Sequence, residues 1–267
     1  MAALNLFNGK IIFMDFLHAL ILGIVEGITE FLPISSTGHL ILTNRLLGLS
    51  SSDFIKSFEI IIQLGAIGAI ILLYWRKLLI NWEVMKRIVV GFIPTAVLGF
   101  IFYKTIKQLL GGDVVVLWAL GVGGLLLILF EKLHKESDTE GSVEQISYRQ
   151  AFLIGIFQAF AFIPGVSRSA ATIIGGLALG LRRTVAVEFS FLLSVPTMLA
   201  ASLLDVYKNG AAFSSDQFSL LAVGFVTAFI VALIAVKFLL KFVRTHNFVS
   251  FGVYRIVLAI LFFVIIL

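Results

Sequence analysis

The run E-G-I-T-E-F-L-P-I-S-S-T-G-H over residues 26–39 puts two carboxylates, three consecutive hydroxyls and an imidazole inside a stretch otherwise as apolar as a membrane span. Glu26 and Glu30 are spaced i, i+4, so on a helix both carboxylates leave one face a turn apart and repel. A divalent cation relieves that repulsion, and hard carboxylate oxygens suit Mg²⁺ or Ca²⁺ better than a soft metal. The plainer alternative is a pair of acids in a polar vestibule or at an interface. After Pro33, residues Ser35, Ser36 and Thr37 look like the start of a helix whose free N–H groups they cap. Such a start is also an anion site, because unpaired N–H groups and the positive dipole end face the ligand. His39 follows Ser36 by three residues, near enough on one turn for the imidazole to act as its general base. A simple cap and a structural histidine are the bland readings of the same residues.

About half a chain later, Gln158 and P-G-V-S-R-S-A-A-T over 164–172 supply the cation that the first cluster lacks. Arg168 stands between Ser167 and Ser169, with Thr172 one turn on, at a second expected helix start. Its planar fork of donors matches phosphate oxygens; it can equally be the counter-ion of Glu26 or Glu30, and the two roles are compatible. Each ionisable group at membrane depth costs roughly 2.5 to 3.5 kcal/mol on insertion scales, so both clusters are read as functional sites.

Those residues must be held by elements that live in lipid. The chain has 267 residues, 60% of them hydrophobic and 13% charged, against about 45–50% and about 25% in soluble domains. The composition therefore predicts an integral membrane protein, and its long apolar runs favour helices over a barrel. The net charge of +5 bears on loop orientation and gives no reason to expect a nucleic-acid partner. Without cysteine, disulfide and thiolate chemistry are excluded. The apolar run after Lys10 superficially suggests a signal peptide, but Asp15, His18 and Glu26 interrupt it, so the segment is expected to be retained.

The long hydrophilic stretch 131–149 divides the chain into a first repeat over about 14–130 and a second over about 150–267, within a single membrane domain. A gapless overlay of 19–41 on 151–173 pairs Gly23 with Gly155, Glu26 with Gln158 and Ser35 with Ser167; further on, Gly91 falls on Gly224. An internal repeat is the reading. Expected spans are 56–74, 88–103 and 114–130, then 184–204, 218–236 and 248–267. Before each set, a segment broken by Pro33 or by Pro164-Gly165 reads as a re-entrant helix–loop–helix hairpin, since broken backbone at membrane depth must be buried in protein or line a cavity. The predicted fold is thus an all-α polytopic membrane protein, an inverted-topology repeat of about six transmembrane helices plus two re-entrant hairpins; eight full spans are the alternative. Twelve basic residues fall on one side of this topology and six on the other, which puts both termini outside the cytoplasm. The hairpins would enter from opposite faces and meet at their tips. Glu59 and Glu188, near the starts of equivalent spans, are read as helix-terminal charges or supporting partners. Arg255 needs an acidic partner that the sequence does not identify. Arg76-Lys77, Lys86-Arg87 and Arg182-Arg183 are most simply membrane-surface anchors.

Together, 26–39 and 164–172 make the chain resemble the bacterial undecaprenyl-diphosphate phosphatases of the BacA/UppP type, associated with bacitracin resistance. F-E-x-x-x-Q-L-G from Phe58, Y-R-Q-A-F from Tyr148, E-F-S-F-L-L from Glu188 and A-V-G-F from Ala222 extend the resemblance over essentially the whole chain. It departs at Ala170, where the family pattern has Gly. The resemblance implies an inverted repeat in the bacterial inner membrane, a divalent-metal requirement and a site facing the periplasmic side. Carried over by position, it implies Glu26 and Glu30 as metal-associated acids, Ser36 as nucleophile, His39 as its base or the leaving-group acid, and Arg168 as phosphate clamp. Ser35, Thr37, Ser167, Ser169 and Thr172 would line the phosphates. The expected substrate is a polyprenyl diphosphate, cleaved to the monophosphate carrier used in cell-wall synthesis and inorganic phosphate; serine, histidine and a metal-held water all remain open as nucleophile. A lipid-phosphate transporter is the competing class, since inverted repeats with broken mid-membrane segments also serve transport. A homodimer is left open.

Overall fold

The computed structural model describes residues 14–49, 52–102, 112–134, 141–209 and 215–266. Every long element is a helix. In the first half these are α1 (Phe16–Thr29), α2 (Ser36–Leu46), α3 (Asp53–Leu79), α4 (Trp82–Ile101) and α5 (Asp113–Leu133). The second half repeats the order with α6 (Tyr148–Ala159), α7 (Arg168–Ala178), α8 (Arg183–Asn209), α9 (Ser215–Phe242) and α10 (Val249–Ile266). Residues 1–13, which include Lys10 and the start of the signal-like run, lie outside the described residues; the rest of that run continues into α1.

Among the described residues, five helices, α3, α4, α5, α8 and α9, are long and apolar enough to cross a bilayer. The sixth expected span, α10, is apolar with 18 residues. Their outward faces carry a dense coat of large apolar side chains, including Phe100, Trp118, Ile234 and Val264, which in water would be an untenable surface and in lipid is the solvent-matched one. The chain is a multi-pass membrane protein. By contrast α1 and α2, at 14 and 11 residues, reach only about 21 and 17 Å at ~1.5 Å per residue and cannot cross a hydrocarbon core of about 30 Å. The same holds for α6 and α7, with 12 and 11 residues. These are the two broken hairpins.

Ion pairs show that the hairpins enter from opposite ends. Lys77, at the end of α3, lies 2.7 Å from Glu188, near the start of α8, so those two long helices run antiparallel. Arg45 at the end of α2 pairs with Asp113 at the start of α5, and α2 leads directly into the beginning of α3. The α1–α2 hairpin therefore opens at the end where α3 starts, and α6–α7 opens where α8 starts. Lys77 and Arg183 are not simple surface anchors: Lys77 holds Glu188, and Arg183 makes a buried 2.8 Å ion pair with Glu131, whose other oxygen accepts the Phe248 amide at 3.1 Å. Glu131–Leu133, expected in the polar linker, continues α5 instead.

Packing repeats under exchange of the halves. Helix α1 packs on α9 and α6 on α4; α3 packs on α9 and α8 on α4; α3 meets α8, and α5 meets α10. The glycines that the sequence overlay pairs also cross over: a Cβ on Gly23 would strike the Gly224 carbonyl, and one on Gly155 would strike the Gly91 carbonyl. Small residues at helix crossings let backbones approach, which is how helices associate where lipid removes the hydrophobic drive between them.

Candidate active site

Each hairpin turns back at a serine held in a left-handed conformation. Ser35 has φ 70° and Ser167 has φ 74°, and they are the positive-φ non-glycine residues among those described. Such backbone is costly for a side-chain-bearing residue and clusters at functional sites. Each serine caps the helix it starts: Ser35 Oγ accepts the Gly38 amide at 3.4 Å, and Ser167 Oγ accepts the Ala170 amide at 3.2 Å. The hydroxyl cap predicted from sequence and the backbone reversal are thus one device, built twice.

The two tips meet. Ser169 Oγ, fully buried, donates to the Leu32 carbonyl of the other tip at 2.8 Å. Arg168 Nη2 donates to Glu30 Oε1 at 3.1 Å, and Nη1 donates to the Ser190 carbonyl on α8 at 2.9 Å. Its guanidinium lies over the Phe31 ring, 5.8 Å from the centroid. The Nε of Arg168 is buried with no partner among the described residues, which leaves one donor of the cation uncommitted in a place where an unmade hydrogen bond is expensive. Ser36 Oγ donates to the second oxygen of Glu30 at 2.6 Å. One carboxylate therefore joins a hydroxyl from its own hairpin to a guanidinium from the other.

His39 departs from its expected place. Its Nδ1 lies 2.7 Å from the Ser35 carbonyl, and its Nε2 lies 2.7 Å from the Tyr254 hydroxyl on α10. A carbonyl only accepts, so Nδ1 carries the proton and Nε2 of the neutral ring accepts from Tyr254. The imidazole also stacks flat on the Tyr254 ring. Both nitrogens are occupied, and Glu30, not His39, is the group in contact with the Ser36 hydroxyl. Three residues on a helix allow a reach but do not direct it, and here the Ser35 carbonyl, which also accepts the His39 amide at 3.4 Å, and the tyrosine outcompete the serine.

The hydroxyls expected around phosphate divide into different roles. Ser35 and Ser167 are caps, and Thr37 lies half-buried on the first turn of α2. Ser169 also contacts Ser167 Oγ at 3.1 Å. Thr172 is fully buried, 3.0 Å from the Arg168 carbonyl and 2.6 Å from Ser190 Oγ. Ser169 and Thr172 thus brace the tip from behind. Glu59, at the start of α3, accepts from Asn44 at 2.6 Å and supports α2.

Glu26 is the unexplained acid. It is fully buried, and neither carboxylate oxygen has a hydrogen-bond partner among the described residues. Beside Glu30, a turn away, this is an oxygen-rich position with unspent acceptors. No cluster of three or more acidic, histidine or cysteine ligands occurs among the described residues. Tyr254 and Ser190 were invisible in the sequence as site residues, because each sits in a long apolar helix far along the chain from the first motif, Ser190 contributing both its carbonyl to Arg168 and its hydroxyl to Thr172.

Comparison with known proteins agrees with the motifs that meet here. The family model described as bacitracin resistance protein BacA matches residues 19–261. The chain belongs to this BacA family. Among its members, the undecaprenyl-diphosphatase of Sulfurihydrogenibium sp. is 55% identical over 94% of this chain and 99% of its own length. The undecaprenyl-diphosphatase of Wolinella succinogenes is 54% identical over 93% and 97%, and that of Aquifex aeolicus 51% identical over 92% and 96%. The match spans both hairpins, so the BacA family resemblance includes the tip-to-tip cluster and not one half alone.

Proposed function

We propose that this protein is an undecaprenyl-diphosphate phosphatase, hydrolysing the lipid diphosphate to undecaprenyl phosphate and inorganic phosphate and so returning the lipid carrier to cell-wall synthesis. The observation that carries the reading is Glu30 held between Ser36 and Arg168, in a BacA-family chain whose relatives at 50% identity and above bear that name. Transport needs no nucleophile, and relatives at 55% and 51% identity carry the name of a diphosphatase, so hydrolysis is favoured over lipid movement.

The chemistry follows from the contacts. The prenyl tail stays among the apolar outer faces, and the diphosphate enters between the tips. Its charge competes with Glu30 for Arg168, whose free Nε and exchangeable Nη2 then bind phosphate oxygens. Glu30 takes the proton of Ser36 as Oγ attacks the terminal phosphorus, and the bond from that phosphorus to the bridging oxygen breaks. The monophosphate lipid leaves, and water hydrolyses the phosphoserine to inorganic phosphate and free Ser36. Arg168 and the N–H groups at the starts of α2 and α7 stabilise charge spreading over the phosphoryl oxygens.

A divalent cation fits this donor set. Glu26 offers two unpartnered oxygens, and each oxygen of Glu30 keeps a second lone pair; Mg²⁺ characteristically binds through one or two carboxylates plus substrate phosphates. Glu26 and Glu30 would hold Mg²⁺ or Ca²⁺, which neutralises diphosphate charge when bound. The bacterial inner membrane, with the site open to the periplasmic face, is the location consistent with the basic-residue bias of the loops. The test is phosphate release by purified protein from a long-chain isoprenyl diphosphate, with and without chelator. Stoichiometric phosphate lost on chelation supports the reading; lipid movement across vesicles without phosphate release overturns it.

A further inference from the structure

Arg255 sits in the middle of α10, in the same chain turn as Tyr254, and is fully buried. The sequence leads one to expect a carboxylate beside it. Among the described residues it has none within ion-pair distance; it binds backbone carbonyls. Nη1 donates to Val166 at 2.9 Å and, at a longer 3.5 Å, to Pro33. Nη2 donates to Ala119 at 2.8 Å and Gly165 at 3.0 Å, and Nε reaches Leu120 at 3.4 Å. All five donors of the guanidinium are thereby directed at acceptors. These carbonyls belong to three segments: the break of the first hairpin, the break of the second, and α5.

Broken helices leave carbonyls that hydrocarbon cannot satisfy. One guanidinium collects the orphans of both breaks at once, and its own charge is solvated by their dipoles in place of water. Gly123 on α5 makes the room: a Cβ there would collide with Nη2 of Arg255. Because a trans peptide is planar, drawing the Val166 carbonyl toward Arg255 turns the Ser167 N–H away from it. A lysine could not repeat this, since an ammonium lacks the flat five-donor fork.

We propose that Arg255 is a positioning residue of the phosphatase site, a clamp that gathers the carbonyls of both hairpin breaks onto one guanidinium and so sets the distance between Glu30 and Arg168. The clamp's role in turnover rests on the function proposed above; the geometric part does not.

The chain's lack of cysteine permits a test of each part. Leu32→Cys with Ser169→Cys puts one thiol on each of the two residues whose carbonyl–hydroxyl contact joins the tips, and the oxidative cross-linking rate, compared with the same pair in the presence of native Arg255, reads changes in their separation. In that background R255Q and R255K should slow cross-linking by at least about tenfold, because neither replacement can span three segments. In otherwise native protein, the same substitutions should lower kcat about 100-fold while KM moves less than about threefold, the pattern of misplaced reacting groups. Unchanged cross-linking in folded R255Q overturns the clamp, whatever the activity. Slowed cross-linking with unchanged kcat overturns its part in the reaction. If the parent protein releases no phosphate, the function proposed above fails while cross-linking still decides the clamp. Should R255Q and R255K not accumulate, G123A displaces the guanidinium with its charge intact, and the same two readouts apply.

Discussion

Glu30 touches both the hydroxyl proposed to attack and the guanidinium proposed to bind phosphate, so Ser36, Glu30 and Arg168 should behave as one unit. S36A, E30Q and R168A are each expected to lower turnover by about 10³-fold or more, as for groups acting together in the transition state. The S36A/E30Q double variant should lose little more than either single one, since each already removes the same proton transfer. Phosphate release from reconstituted variants measures this; additive losses would separate Glu30 from Ser36. His39, with both nitrogens engaged away from Ser36, belongs to a different class. Y254F deletes the hydroxyl on Nε2 and should cost only about tenfold in kcat, an effect the size of one lost hydrogen bond to a positioned ring. A loss equal to that of S36A would return His39 to the reaction itself.

At the scale of helices, the backbone crossings carry the architecture. Gly155 meets the Gly91 carbonyl and Gly23 the Gly224 carbonyl, whereas a Cβ on Gly121 would find its nearest neighbour at an ordinary 3.6 Å. G155A should therefore lower the detergent melting temperature by several degrees, through overpacking worth about 1–3 kcal/mol, while G121A should leave it within error. Equal effects would show that the crossings tolerate expansion. The hairpins depend on the same logic of fit. Their helices are too short to span, so the breaks stay in the interior, where Ser169, Thr172 and Arg255 take up polar groups that lipid would leave bare.

For the molecule as a whole, opposed hairpins make the site a joint property of the two halves. Leu46 at the end of α2 and Leu79 at the end of α3 are both exposed and lie at opposite ends of the bundle. L46C and L79C should label with an impermeant thiol reagent from opposite sides of the membrane, with L46C reactive from outside intact cells and L79C only after disruption. Labelling of both from outside would refute the antiparallel entry of the hairpins. Cation dependence belongs at this scale too: with Glu26 lacking hydrogen-bond partners among the described residues, E26Q should reduce activation by Mg²⁺ or Ca²⁺ while the protein still inserts and melts normally.

Much of this was legible in the residues. Apolar runs marked the long helices because lipid demands about 20 consecutive apolar residues and tolerates little else. Pro33, Pro164-Gly165 and the flanking hydroxyls marked the breaks, because such backbone reads as an interruption of any helix. The buried charges Glu26, Glu30 and Arg168 stood out because lipid makes them costly. What tertiary structure decided was partnership. Ser36 turned to Glu30 and His39 to Tyr254; Ser169 and Thr172 braced the tip; and Arg255, expected to need an acid, found carbonyls from three segments. Residue type and spacing along one helix determine what a side chain can offer. Which of several acceptors takes the offer depends on segments far apart in the chain brought together in three dimensions, and local periodicity carries no record of that encounter.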